Sequence, residues 1–195
     1  MIKRLHNLRF LLRITHSHDI VRRYFVVNGF DGALTMLGLI IGFLFSAPAD
    51  ISVMINACLG AAIALGVSGI SSAYVSESAE RRRALGKLED AMISDLKESA
   101  HGEAARGVPL LIAIVNGSAP LIISLLILAP LFIVHAGLPL PVSPLYAAIA
   151  VALLLMFFLG VFLGRIANVS WFRSGLNTLL VAVITASLVY IFTGL

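Results

Sequence analysis

Asp31 is the residue with the clearest chemical potential, because it is a carboxylate inside the apolar run of residues 26–45. A charge within a bilayer is costly, so intramembrane acids usually face a bundle interior or an ion path. Desolvation favours the neutral form of a carboxyl group, whereas an arriving cation favours the ionised form. Asp31 is therefore suited to exchanging a proton for a metal ion, which is the elementary step of an antiporter.

A stripe of small and polar residues surrounds this acid. Thr35, Gly38 and Gly42 follow Asp31 at spacings that place them on one helix face. Gly38 and Gly42 form a G-x-x-x-G pattern, which allows close approach of two helix backbones in lipid. Two copies of this helix would bring two Asp31 side chains to one ion path. We expect Asn28, one turn before Asp31, to line the same path. Alternatively, Asp31 caps the start of the helix, since residues 28–32 are rich in cap-forming types.

The second apolar stretch carries hydroxyl groups near its end. Ser68, Ser72 and Ser76 recur every four residues and share a helix face. Hydroxyl oxygens can line an ion path or bind a hard cation weakly. Small residues are equally ordinary at helix contacts in membranes, so both interpretations remain open.

A second possible metal site follows the second apolar stretch. Met92, Asp95, Glu98 and His101 recur every three residues. On a helix, the Glu98-x-x-His101 spacing would present both side chains to one metal, as in carboxylate bundles. The alternative is an ordinary charged helix exposed to solvent.

Composition identifies the class of protein that must position these residues. Of 195 residues, 59% are hydrophobic and 12% are charged, about half the charged share of soluble domains. Five stretches are long enough to cross a bilayer as helices, and they are residues 25–47, 51–76, 108–134, 145–164 and 175–194. We therefore expect an all-α integral membrane protein. Residues 116–120, Asn-Gly-Ser-Ala-Pro, predict either a cavity-lining break or a proline kink in the third span.

The 14 basic residues predict the orientation. Six precede the first span, six lie between the second and third, and Arg165 and Arg173 lie between the fourth and fifth. All therefore fall on one side, which the positive-inside rule assigns to the cytoplasm together with the N-terminus. The net charge of +4 is then explained by topology and by contacts with membrane lipids rather than by nucleic acid.

Four segments follow from this topology. We expect an amphipathic interfacial segment at 1–24, spans one and two at 25–76, a cytoplasmic helical segment at 77–107, and spans three to five at 108–195. The segment at 77–107 should continue the second span as a helix, with further helix to about Glu103. Cys58 is the sole cysteine, which excludes an internal disulfide. No enzyme motif occurs, so we expect neither catalysis nor a permanently bound cofactor.

Three motifs resemble those of the vacuolar iron transporter family. The first is Asn28-Gly-Phe-Asp-Gly32 followed by Thr35, the second is Tyr74-Val-Ser-Glu-Ser-Ala-Glu-Arg81, and the third is Arg173-Ser-Gly-Leu-Asn-Thr. The resemblance extends over roughly residues 22–195 and includes the five-span topology. It suggests a divergent prokaryotic member.

This resemblance implies a dimeric exporter of Fe²⁺ or Mn²⁺ from the cytoplasm, in the plasma membrane of a prokaryote, with protons exchanged in some members. The path would run between the first spans, and Asp31 matches the family's intramembrane aspartate. The chain departs from the family at Ala73 and Gly69, which replace an expected glutamate and methionine. The alternative is therefore a membrane scaffold or regulator that keeps the fold without transporting.

Overall fold

The computed structural model describes residues 17–46 and 49–193. In this part of the chain there are five helices and no strand. They are α1 (Ser17–Phe45), α2 (Ile51–Met92), α3 (Ala100–His135), α4 (Pro144–Ile166) and α5 (Trp171–Thr193). All five are long and apolar enough to cross a membrane. The expectation of an all-α integral membrane protein is confirmed. Of the predicted interfacial segment at 1–24, residues 1–16 lie outside the described residues, and the rest belongs to α1.

The helices extend beyond the predicted spans and end in defined turns. The carbonyl oxygen of Ile133 accepts a hydrogen bond from the Leu138 amide at 3.2 Å, around Gly137 with φ of +82°. This is the Schellman arrangement, in which a left-handed residue closes a helix and glycine adopts that conformation without steric penalty. The carbonyl of Gly164 accepts likewise from Val169 at 3.1 Å, around Asn168 with φ of +53°.

The segment between the second and third spans is partly as predicted. The second helix does continue as a helix past residue 76, but it ends at Met92, and residues 93–99 turn before α3 begins at Ala100. The expected further helix to Glu103 is therefore wrong between 93 and 99. Ile93 ends α2 with φ of +51°, a conformation unfavourable for β-branched residues, so its sequence gives no helix-ending signal. The third helix runs without a break through residues 116–120.

The described chain forms two compact units. The first contains residues 17–25 and 66–118, and the second contains residues 26–46, 49–65 and 119–193. In the first unit, Ala104, Val108 and Ile112 of α3 form a small buried cluster against Ile20, Val21 and Tyr24. The chain reverses direction at residues 93–99, between α2 and α3. This reversal allows the first part of α3 to pack against α1.

The second unit holds the larger apolar core. Its fully buried side chains come from all five helices, and the largest include Met36, Ile40, Leu128, Leu131 and Met156. Met36 is fully buried and packs within this core. Most side chains of α5 are exposed, and its apolar surface suits contact with lipid.

Close packing of α4 and α5 relies on small residues. A methyl group added at Gly160 would collide with Thr178 and come 2.9 Å from the Gly175 Cα. The Thr178 hydroxyl donates to the Met156 carbonyl oxygen at 3.0 Å, which adds a polar contact between the two helices. The Gly160/Gly164 pattern therefore serves a contact within one chain.

Candidate functional site

Asp31 lies in the middle of α1 rather than at its start. The helix has 29 residues from Ser17 to Phe45, and Asp31 is the fifteenth of them. At 1.5 Å per residue it is about 21 Å from the end at Phe45, most of the roughly 30 Å thickness of a hydrocarbon core. The alternative in which Asp31 caps the helix is therefore wrong.

Close packing on one side of α1 determines which side of the helix carries Asp31. A methyl group added at Gly32 would lie 2.8 Å from both the Cα and the carbonyl oxygen of Pro120, and one at Gly29 would lie 3.3 Å from a Leu159 methyl group. Such distances require that α1 press its backbone against neighbouring helices on this side. Asp31 falls on another face and is exposed.

No group in the described part of the chain forms a hydrogen bond or an ion pair with Asp31. Thr35 lies about one turn further along the same face and is half-buried, as is Asn28 one turn before. The structure thus brings the three predicted α1 residues to one side of the helix. An unpaired carboxylate is costly at membrane depth, so an intramembrane acid of this kind is a candidate for taking up a proton or a cation.

The predicted packing seam beyond Asp31 is largely uncovered. A methyl group at Gly42 would meet nothing within 4 Å, and one at Gly38 would lie 3.8 Å from a Val189 methyl group. Within the second unit, α1 therefore uses Gly29 and Gly32 for close packing, has Val189 of α5 beside Gly38, and leaves Gly42 open.

The serines of α2 belong to the first unit. Ser68, Ser72 and Ser76 are all exposed, and the Ser72 hydroxyl lies 3.5 Å from the Gly69 carbonyl oxygen, a long contact. Their hydroxyl groups are accessible, and they do not form the close helix contact in this unit. That contact lies on another face of α2, which contains the buried residue Gly69.

Gly69 and Ala73, which replace the expected methionine and glutamate, are buried. A methyl group at Gly69 would lie 3.1 Å from the Cα of Gly117, and Ala73 is 3% exposed. The Asn116 side-chain amide donates to the Gly69 carbonyl oxygen at 2.8 Å. This helix contact leaves no room for a methionine at 69 without separating α2 from α3.

A polar cluster that the sequence reasoning did not select lies in the first unit. The Tyr24 hydroxyl donates to Glu77 Oε1 at 3.2 Å, and Arg81 Nε lies 3.8 Å from Glu77 Oε2. Glu77 is only 8% exposed. The four-residue spacing of Glu77 and Arg81 is a recognisable helix pair, but no local signal connects either to Tyr24, 53 residues away.

The second possible metal site is not formed as a helical motif. Met92 ends α2, Asp95 and Glu98 lie in the turn, and His101 lies in the first turn of α3. All four residues are exposed. The expectation of Glu98 and His101 on one helix face is therefore wrong, because the chain reverses before α3 starts. Among the described residues, no group of three or more His, Cys, Asp or Glu side chains is placed to hold a metal.

Asp95 has a local structural role in this turn. Its carboxylate accepts hydrogen bonds from the Lys97 backbone amide at 2.9 Å and from the Lys97 ammonium group at 3.3 Å. These bonds, the backbone one foremost, lower the pKa of Asp95 below its ordinary value. The turn is also tied by the Leu96 amide, which donates to Glu89 Oε1 at 2.9 Å.

Comparison with known proteins places the chain beside an archaeal sequence. No family model matches it. It is 32% identical over 171 residues to the "Uncharacterized protein MJ0645" of Methanocaldococcus jannaschii, a match that covers 86% of each chain. Identity of this extent over nearly the whole length of both chains indicates common descent and a common fold. The protein belongs to the same family as this archaeal relative.

Proposed function

We propose that this protein exports a divalent metal cation, Fe²⁺ or Mn²⁺, from the cytoplasm as a dimer. The observation that carries this proposal is Asp31, an exposed carboxylate at mid-helix without a partner in the described part of its own chain. Asp31 serves as the central ligand and as the proton acceptor. The motif resemblance to the vacuolar iron transporter family supports the same substrate class.

The chemistry near Asp31 suits a hard cation. Its neighbours on the helix face are the Thr35 hydroxyl and the Asn28 amide, so the available donors are mainly oxygen atoms. Oxygen ligands favour Mg²⁺, Ca²⁺ and Mn²⁺, and they accept Fe²⁺. When the cation leaves, a proton neutralises the carboxylate, which avoids an uncompensated charge in the membrane.

A second copy completes the ligand set. One Asp31 with its neighbours is too few ligands for a divalent cation, and a two-fold axis would double them. The open backbone at Gly42 is the surface on which the two α1 helices would meet.

Flux measurements test the transport proposal. The purified protein is reconstituted in liposomes, and Mn²⁺ or Fe²⁺ uptake is followed with an internal fluorescent chelator. We expect flux from the unmodified protein and its loss in Asp31→Asn. Asp50→Asn is the matched control, because Asp50 is also exposed but directly precedes α2 at the opposite end of the first hairpin. Equal flux in Asp31→Asn and the control would refute the role of Asp31.

Disulfide cross-linking tests the dimer separately. In a Cys58→Ala background, Gly42→Cys should form a covalent dimer under mild oxidation, because a two-fold axis at this seam brings the two thiols together. Leu180→Cys is the control, since Leu180 is 58% exposed on α5 and outside the proposed seam. Cross-linking at Leu180 but not at Gly42 would contradict the arrangement.

The alternative of a non-transporting scaffold rests on a different observation. Gly69 and Ala73 fill buried positions in the contact of α2 with α3, so α2 supplies no methionine or carboxylate there. A scaffold predicts no divalent-cation flux and no metal-dependent rise in melting temperature. A thermal shift with Mn²⁺ that Asp31→Asn abolishes would exclude it.

A further inference from the structure

The turn between α4 and α5 brings basic and aromatic residues to one end of a helix hairpin. A methyl group at Gly164 would lie 2.7 Å from the Ser174 Cβ and 3.0 Å from the Trp171 Cα, so the two helices touch here. Arg165 directly follows Gly164, and Arg173 directly precedes Ser174. Both arginines are exposed and lie at the same end of the hairpin.

Among the described residues, neither arginine forms an ion pair. No carboxylate of the described residues lies within 4 Å of Arg165 or Arg173. The helices joined by this turn supply no acidic side chain themselves, since the last one of the sequence is Glu103. Helix stability accounts for Arg165 in the last turn of α4, but not for Arg173 in the first turn of α5, where the helix dipole opposes a cation.

Exposed apolar side chains accompany these charges. Val169 is 59% exposed, Trp171 53% and Phe172 56%. The rings of Trp171 and Phe172 meet edge to face with centroids 6.0 Å apart, and Phe172 contacts Phe157 in the same manner at 6.3 Å. Exposed aromatic rings beside arginines are typical of the membrane interface, where rings reach the acyl chains and guanidinium groups reach phosphate.

We propose that this hairpin, residues 165–173, binds the phosphate headgroup of an anionic lipid. The two guanidinium groups supply bidentate donors for phosphate oxygens, and the exposed rings lie beside the first part of the lipid chains. Net negative charge on the lipid supplies the counter-charge that the described residues around Arg165 and Arg173 do not. The proposal concerns a lipid and is independent of the transport proposal.

Trp171 offers a direct measurement, because it is the sole tryptophan of the chain and lies in the patch. The full-length protein is reconstituted in bilayers that contain either brominated phosphatidylglycerol or brominated phosphatidylcholine, in otherwise matched mixtures. Bromine quenches tryptophan fluorescence at short range. We expect stronger quenching by the anionic lipid at equal mole fraction, and a smaller difference as salt is raised to about 1 M, where the Debye length falls to about 3 Å.

Arg165→Gln with Arg173→Gln should remove this preference. A basic residue at a membrane surface contributes about fivefold to anionic-lipid binding, so the double variant should lose about 25-fold. Arg82→Gln with Arg83→Gln is the matched control, because it removes two exposed arginines of α2. We expect it to keep the preference.

Three results would overturn the proposal. One is equal quenching by both lipids in the unmodified protein, which needs no variant to fold. Another is an unchanged preference in the Arg165/Arg173 double variant. The third is loss of the preference on addition of millimolar inorganic phosphate at constant ionic strength, which would assign the arginines to a soluble phosphate compound instead.

Discussion

Replacement of Gly32 by alanine should destabilise the protein, although alanine is the better helix former. The added methyl group would lie 2.8 Å from the Pro120 Cα, 2.8 Å from its carbonyl oxygen and 3.1 Å from its Cβ. Carbon atoms in contact are ordinarily about 3.5–4.0 Å apart, so α1 would have to move by nearly 1 Å. The obstructing atoms cannot rotate away, because they belong to the backbone and ring of a proline.

The expected magnitude follows from two opposing effects. Overpacking of this kind costs about 1–3 kcal/mol, whereas exchange of a mid-helix glycine for alanine contributes about 1 kcal/mol of stability. Gly32→Ala should therefore lose between about 0 and 2 kcal/mol. Gly60→Ala is the matched control, because a methyl group there would meet nothing within 4 Å. It should gain about 1 kcal/mol, the ordinary difference between glycine and alanine within a helix.

Thermal unfolding in detergent, followed by Trp171 fluorescence, measures the difference between the two variants. For a chain of this size, 1 kcal/mol corresponds to about 2–4 °C in melting temperature. The two variants should therefore differ by about 2–12 °C, with Gly32→Ala the lower. An equal rise in melting temperature for both would refute the close contact between α1 and α3. Reduced metal flux in Gly32→Ala would further indicate that the contact of Gly32 with Pro120 positions Asp31.

Three further predictions concern the first unit. Tyr24→Phe should lower the free energy of unfolding by about 1–2 kcal/mol, since it deprives the buried Glu77 carboxylate of a donor; a double-mutant cycle with Glu77→Gln should show coupling, and additive effects would contradict the contact. Ile93→Gly should raise the melting temperature slightly, because it relieves about 1–2 kcal/mol of left-handed strain at a residue that is 94% exposed; a lower melting temperature would mean that the side chain makes contacts. The Asp95 carboxyl should titrate by NMR below the ordinary value of 3.8, and its bond to the backbone should stabilise the turn above that pH and be lost as pH falls through the lowered pKa. Lys97→Ala should leave part of this lowering, because the hydrogen bond from the backbone amide is the largest single cause and is kept; a full return to 3.8 would contradict the assignment.

The five helices could be predicted from the sequence, because crossing a bilayer requires about 20 consecutive apolar residues and such stretches are rare by chance. Helical periodicity also placed Asn28, Asp31 and Thr35 on one face of α1. The end of α2 could not be predicted in this way. No glycine or proline marks residues 93–99, and Ile93 adopts a conformation that its side chain disfavours. The turn is instead held by its own hydrogen bonds, such as those of the Leu96 amide to Glu89 Oε1 and of the Arg106 guanidinium to the Lys97 carbonyl oxygen.

The sequence by itself determined the helix count, the separation of charged from apolar segments, and the presence of one acid within the first apolar span. Those properties depend on local composition and on the period of the helix. Only the tertiary structure decided that Gly32 packs on Pro120 while Gly42 stays uncovered, and hence that Asp31 is exposed. Residues 32 and 120 are far apart in the chain. Gly32 and Gly42 lie in the same helix, and their local sequence does not show which one packs closely; their contacts with distant helices distinguish them.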